Sequence, residues 1–181
     1  MKKPIAIIAG EPNSISSEII FKSWNSKNKF FHRPFLIVGS ISLLNKQKNK
    51  LGIKIKIKEI KENFEIKDLK GSELPVYNVN YNQKKTFQQI SSLSNKYIFA
   101  CFDKTLNLIK KKKILGFVNC PVSKESLFQK KHQGITEFLA KKNKSKNKEV
   151  MLIHNKNLSV SPITTHIPLK DVSRKITKKK S

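Results

Sequence analysis

Three short segments carry side chains whose types and order could do chemistry. The first is Gly10-Glu11-Pro12-Asn13-Ser14-Ile15-Ser16-Ser17-Glu18. The second runs from Cys120-Pro121-Val122-Ser123-Lys124 to Gly134-Ile135-Thr136-Glu137-Phe138, and the third is Thr164-Thr165-His166-Ile167-Pro168-Leu169-Lys170-Asp171. Each follows a predicted strand, which is where α/β proteins place their ligands. His166 could ligate a metal as a neutral imidazole, but a lone histidine also serves as a core or turn residue. Catalytic zinc sites usually take three protein ligands and structural ones four, so His166 would need partners from elsewhere. Thr136 and Glu137 precede an apolar run and equally suit a helix start. Gly10-Glu11-Pro12 equally suits a strand-to-helix turn.

The elements that must position these residues follow from periodicity. "PIAIIAG" is a short apolar run ending in glycine, hence a buried strand, and "SISSEIIFKSW" after it predicts a helix with Ile15, Ile19 and Ile20 on one face. "RPFLIVGS" and "ISLLNKQKNK" repeat the pattern, with Gly39 at the tight turn and Ser40 as N-cap. "GIKIKIKEI" alternates strictly, predicting a strand with Ile53, Ile55 and Ile57 inward and a lysine face that is solvated or marks a sheet edge. The spacing of apolar residues predicts a long helix between Lys84 and Lys113, counting Ile90 and Leu93 on its buried face. "ILGFVNCPV" reads as a further buried strand, and "EVMLIHN" and "LSVSPITTH" as two strands around the turn "NKN". Strands alternating with helices imply an α/β sandwich with a mostly parallel sheet and one local antiparallel pair. The strands "PIAIIA", "FLIVG", "ILGFVN" and "LSVSPIT" are expected to share one sheet.

At 181 residues the chain is long enough for one domain with a sizeable core. Its formal charge of +26 would ordinarily suggest nucleic acid or an anionic membrane surface. Yet Arg33 and Arg174 are the two arginines among 38 basic residues, and arginine is what bidentate phosphate and guanine recognition favours. The lysines are spread along the chain beside abundant Ile and Asn, as a coding bias would leave them. Cys101 and Cys120 fit neither a zinc finger nor a disulfide framework and imply free thiols in a reducing compartment. The apolar run of "MKKPIAIIAG" is shorter than the roughly 7–15 residues of a signal-peptide core, and no segment approaches the roughly 20 of a membrane span. A cytoplasmic location, no membrane partner and no specific nucleic-acid partner are the expectations.

Together, in this order, the three segments resemble the 4-hydroxythreonine-4-phosphate dehydrogenase family, from Ile5 to about Ile176. That family opens on a Gly-Asp/Glu-Pro turn, continues with Gly-Pro-x-x-Lys and Gly-His-Thr-Glu-Phe, and then carries Thr-Thr-His-x-Pro-Leu-Arg-Asp. The resemblance implies a truncated three-layer α/β sandwich like that of isocitrate and isopropylmalate dehydrogenases. It also implies a homodimeric, NAD-dependent enzyme of pyridoxal 5′-phosphate biosynthesis. The substrate would be a small phosphorylated amino acid, 4-phosphohydroxy-L-threonine, oxidised to a β-keto acid that decarboxylates to 3-amino-2-oxopropyl phosphate. By the same resemblance His166 matches one of three histidines holding a divalent metal (zinc, cobalt or magnesium), Thr136 matches a substrate-binding threonine, and the two are expected to face a common cleft at the carboxyl edge of the sheet. In such a site the ion polarises the secondary alcohol and stabilises oxygen charge.

The departures are equally specific. Ile135 stands where the family has a substrate-binding histidine, Ser14 and Ser16 replace glycines, and Cys120 replaces another, which restricts backbone approach to a ligand. Family chains are about twice as long. Residues 1–181 therefore read as a single N-terminal part of the dehydrogenase fold, with the C-terminal half absent and the remaining metal ligands and most NAD contacts in that half. A lysine-rich module binding nucleic acid or other anions on a degenerate enzyme scaffold is the alternative, disfavoured by the lack of an RNA-binding motif.

Overall fold

Four of the predicted apolar runs and one strand not expected from the sequence form, in a computed structural model, an open five-stranded parallel sheet with helices on both faces. The structure describes residues 2–30, 32–128, 134–145, 149–164 and 167–176. It divides into two compact units, Met1–Gln129 and Lys130–Ser181.

The first unit carries β1 (Ile5–Ile8), α1 (Ser16–Asn25), α2 (Lys27–Phe30), β2 (Phe35–Gly39), α3 (Ile41–Lys50), β3 (Ile57–Ile60), β4 (Leu74–Asn78), α4 (Asn95–Lys110), β5 (Phe117–Asn119) and α5 (Lys124–Phe128). The sheet order is β3-β4-β2-β1-β5, every pair parallel. Alternate residues of β1 and β2 point to opposite faces, as strand geometry requires. Ile7, Ala9, Phe35 and Ile37 join Ile20, Phe21 and Trp24 of α1 and Leu44 of α3 in one apolar cluster. Ala6, Ile8, Leu36 and Val38 are buried as well, and α4 packs on β1 and β2 with Ile98, Cys101 and Phe102 buried. The three-layer α/β arrangement expected from the sequence is thus present.

Some local expectations change. In α1 the buried stripe is Ser17, Ile20, Phe21 and Trp24, at spacings of three and four, whereas Ile15 and Ile19 are exposed. The long helix begins at Asn95 rather than Lys84, leaving Ile90 and Leu93 exposed. Amide side chains outcompete helix formation there. Gln47 and Gln83 both donate to the Thr86 carbonyl, and the Gln88 N–H donates to Asn13 Oδ1, which holds residues 83–88 open. Of the alternating isoleucine run, Ile55 is buried and the strand proper starts at Ile57, on the sheet edge that its lysines suit. β5 is the other edge, three residues long and half exposed, so "ILGFVN" is not a fully buried strand.

β4, "LPVYN", has no counterpart in the sequence reading, and its Pro75 is unusual within an inner strand. Its pairing explains the tolerance: β2 bonds to β4 only from Val76 onward, so the missing Pro75 N–H falls before that ladder begins.

The second unit contains α6 (Ile135–Lys142), β6 (Ile153–His154), β7 (Ser159–Val160) and α7 (Val172–Lys175). β6 and β7 form the expected antiparallel pair. The expectation that "LSVSPIT" joins the main sheet is wrong: β7 pairs with β6 in a separate two-stranded sheet. The reason is local. Reciprocal Asn155 and Leu158 backbone bonds of 2.8 and 3.3 Å close the turn, and Asn155 Oδ1 accepts from the Asn157 N–H, so β7 pairs with its sequence neighbour.

Candidate functional site

Parallel strands end on one edge, and that edge collects the polar turns of the first unit. Chain leaving β1 reaches Gly10 at φ +70°, a left-handed conformation natural to glycine. A Cβ at Gly10 would lie 2.6 Å from the Pro121 carbonyl oxygen and 2.9 Å from that of Cys120. The turn after β1 and the segment after β5 are therefore in direct backbone contact. The Glu11 N–H donates to the Pro121 carbonyl at 2.9 Å, and Ser16 Oγ donates to the same oxygen at 3.3 Å.

Glu11 is the keystone of this edge. Its side chain is 1% exposed, accepting from the Asn13 N–H at 3.1 Å and from Ser94 Oγ at 2.9 Å. A buried carboxylate is tolerable only with such donors. Asn13 Oδ1 in turn accepts from Gln83 Nε2 and the Gln88 N–H, and the Pro12 carbonyl accepts from Gln47 Nε2 at 2.7 Å. The hydroxyl oxygens of the two serines that stand for family glycines lie 2.7 Å apart, each also within reach of a carbonyl, that of Glu11 for Ser14 Oγ and that of Pro121 for Ser16 Oγ.

Next along the edge, Ser40 caps α3 by accepting from the Leu43 N–H and donates to the Tyr81 carbonyl at 3.0 Å. The Ser40 N–H reaches the hydroxyl of buried Tyr97, whose ring stacks on Tyr81 at 4.6 Å. Asn78, at the end of β4, accepts from the Ile41 N–H at 3.1 Å. Burial raises the Tyr97 phenol well above its usual range and pushes the Cys101 thiol up to about 12. Cys120, behind the Gly10 turn, is pushed up to about 11 by burial. Both cysteines are free, and neither is a thiolate at neutral pH.

Of the sequence-predicted residues, the structure brings the Glu11 and Pro121 segments together. Thr136 lies in the first turn of α6, with its side chain exposed beside half-buried Ile135 and Glu137. His166 and Thr165 lie outside the described residues, so the expected shared cleft of Thr136 and His166 lies outside them too. Among the described residues no three His, Cys, Asp or Glu side chains converge to hold a metal ion. Sequence reasoning missed Ser94, Gln83, Tyr97 and Asn78. The polar run "NVNYNQ" from the last residue of β4 onward is the available signal.

A layered α/β protein whose parallel strands deliver several polar turns to one carboxyl edge belongs to the open-sheet class that binds ligands at that edge. Comparisons narrow the class. The family model for the pyridoxal phosphate biosynthetic protein PdxA matches residues 31–181. The chain belongs to that family. It is 33% identical over 178 residues to 4-hydroxythreonine-4-phosphate dehydrogenase of Sulfurihydrogenibium sp. (strain YO3AOP1), covering 97% of this chain and 53% of the relative. Against the enzyme of the same name from Aquifex aeolicus (strain VF5) it is 33% identical over 184 residues, covering 98% and 54%. A crystal structure of a 4-hydroxythreonine-4-phosphate dehydrogenase from Burkholderia phymatum superposes with a TM-score of 0.86 at 22% identity, over 99% of this chain and 55% of that one, and so supports the fold. The chain spans about half the length of the curated relatives it matches.

Proposed function

We propose that the chain is the N-terminal portion of a 4-hydroxythreonine-4-phosphate dehydrogenase, active once joined to the polypeptide that makes up the rest of its relatives' length. The family match over residues 31–181 carries this reading. The reaction would be NAD-dependent oxidation of the secondary alcohol of 4-phosphohydroxy-L-threonine, followed by decarboxylation of the β-keto acid. In this reading the Glu11 turn holds the loops after β1 and β5 in register at the sheet edge. Thr136, exposed at the start of α6, donates its hydroxyl to a substrate oxygen, and His166 serves as one metal ligand, the others coming from the other half. The enzyme would be a cytoplasmic homodimer.

Two surfaces support completion by further polypeptide. The hairpin of β6 and β7 exposes Val150, Met151, Leu152, Ile153, Leu158 and Val160, and a lone two-stranded hairpin is marginal in water. β5 exposes Val118 and, among the described residues, pairs on one side with β1 alone. Among the described residues no helix is long and apolar enough to cross a membrane.

The test is to supply the remaining half, fused or as a second chain, and follow NADH formation from 4-phosphohydroxy-L-threonine. Residues 1–181 alone should show no turnover, and the completed protein should. In the completed protein Thr136→Val should raise KM, and His166→Ala should weaken zinc or cobalt binding by roughly 10-fold or more. Turnover by residues 1–181 alone, or metal binding unchanged by His166→Ala, would overturn the reading.

A further inference from the structure

A cavity of about 320 Å³ opens at the amino-terminal edge of the central sheet, away from the Glu11 turn, between the end of α1, the start of β2 and the loop that leads into β4. Its lining includes Trp24, Lys27, His32, Arg33, Phe35 and Lys70, and no carboxylate. Rare side chains meet here: Trp24 is the chain's one tryptophan, Arg33 one of two arginines and His32 one of four histidines. A lysine coding bias scatters ammonium groups over a surface. It does not account for tryptophan, arginine and histidine meeting at one concave place.

Lys27 and Arg33 are positioned by backbone carbonyls, and among the described residues neither is paired with an acid. Lys27 Nζ sits 3.5 Å from the centroid of the Trp24 ring and donates to the Gly71 carbonyl. Trp24 Nε1 is anchored on the Ser72 carbonyl at 3.1 Å, which fixes the indole under that ammonium. Arg33 donates to the Lys3 carbonyl at 2.6 Å, using one of the guanidinium's five donors. Burial lowers the Lys27 pKa from its ordinary value, as expected of a partly desolvated ammonium that lacks an acidic neighbour. Charges held in place with no counter-charge among the described residues attract an anion at little cost in ordering.

We propose that this cavity binds a small polyanion of the pyrophosphate class, its oxygens met by Arg33, Lys27 and Lys70 over the apolar floor of Trp24 and Phe35. The volume is at the lower end of small-molecule sites, roughly 300–1,000 Å³, and a concave pocket suits a compact anion better than a nucleic-acid backbone, which needs an extended basic stripe.

Because Trp24 is the sole tryptophan, its emission reports on this cavity alone. Titration of residues 1–181 with sodium pyrophosphate at physiological ionic strength should give a saturable change in that emission. Arg33→Gln and Lys70→Gln should each weaken binding by roughly 10-fold, the effect of one charge-assisted hydrogen bond. Lys96→Gln, the same charge change in the first turn of α4 and outside the cavity, should leave affinity within about twofold, since a solvated charge at a distance is screened. If Arg33→Gln fails to fold for want of its bond to Lys3, exposed Lys70→Gln decides. No saturable change, an equal loss in Lys96→Gln, orthophosphate binding as tightly as pyrophosphate, or displacement by lower concentrations of homopolymeric RNA would each overturn the proposal.

Discussion

Substituting Gly10 by alanine tests whether the candidate site depends on backbone contact between the turn after β1 and the segment after β5. Two glycines have nearly the same left-handed backbone, Gly10 at φ +70° and Gly52 at φ +65°, but a Cβ meets nothing within 4 Å at Gly52. Gly52→Ala therefore isolates the conformational penalty, about 1 kcal/mol. At Gly10 the added methyl also meets two carbonyl oxygens at 2.6 and 2.9 Å. Neither can turn aside freely, since the Cys120 N–H is bonded to Ile8 in the sheet and the Pro121 carbonyl accepts from Glu11 and Ser16. Overpacking of this kind costs about 2 kcal/mol more, for about 3 kcal/mol in all. With a urea dependence of roughly 2–3 kcal/mol per molar, the unfolding midpoint should fall by roughly 1 M for Gly10→Ala and roughly 0.4 M for Gly52→Ala. Far-UV circular dichroism during urea titration reads both. Equal shifts for the two variants would refute the claim that the turns are in contact.

Other outcomes follow from the same edge. Glu11→Gln turns one acceptor into a donor facing Ser94 or the Asn13 N–H. It should cost about 2 kcal/mol, seen as a Tm lower by roughly 4–8 °C in a thermal melt. Ser40→Ala removes the α3 cap and the bond to Tyr81 and should cost about 1–2 kcal/mol by urea titration. Cys120, with its thiol pushed up to about 11, should be about one-thousandth thiolate at pH 8, so a thiol reagent should label both cysteines quickly only after unfolding. Burial raises both thiols, so the folded protein keeps protons that the unfolded chain releases first. The stability this contributes is complete below the ordinary cysteine range and is lost as pH climbs toward about 11 for Cys120 and about 12 for Cys101, a fall that alkaline denaturation curves would show.

The sequence by itself determined the elements whose signals are local. "PIAIIAG" and "FLIVG" are buried strands because uninterrupted apolar runs ending in glycine suit a sheet covered on both faces. Ser40 is a cap because its hydroxyl reaches an N–H three residues on, and "NKN" closes a hairpin because both strands adjoin it. The ordered motifs from Gly10 to Asp171 carried the family resemblance. Tertiary structure alone decided what periodicity does not encode. Ser16 meets Pro121 across 105 residues and Glu11 meets Ser94 across 83, so no spacing rule joins them. Side-chain amides from Asn13, Gln47 and Gln83 kept Ile90 and Leu93 out of a helix that their spacing favoured. Pro75 entered an inner strand because its missing donor falls where β2 has not yet begun to pair. Local patterns fix which backbone each segment prefers, but which buried group finds which partner depends on where the folded chain brings distant segments together.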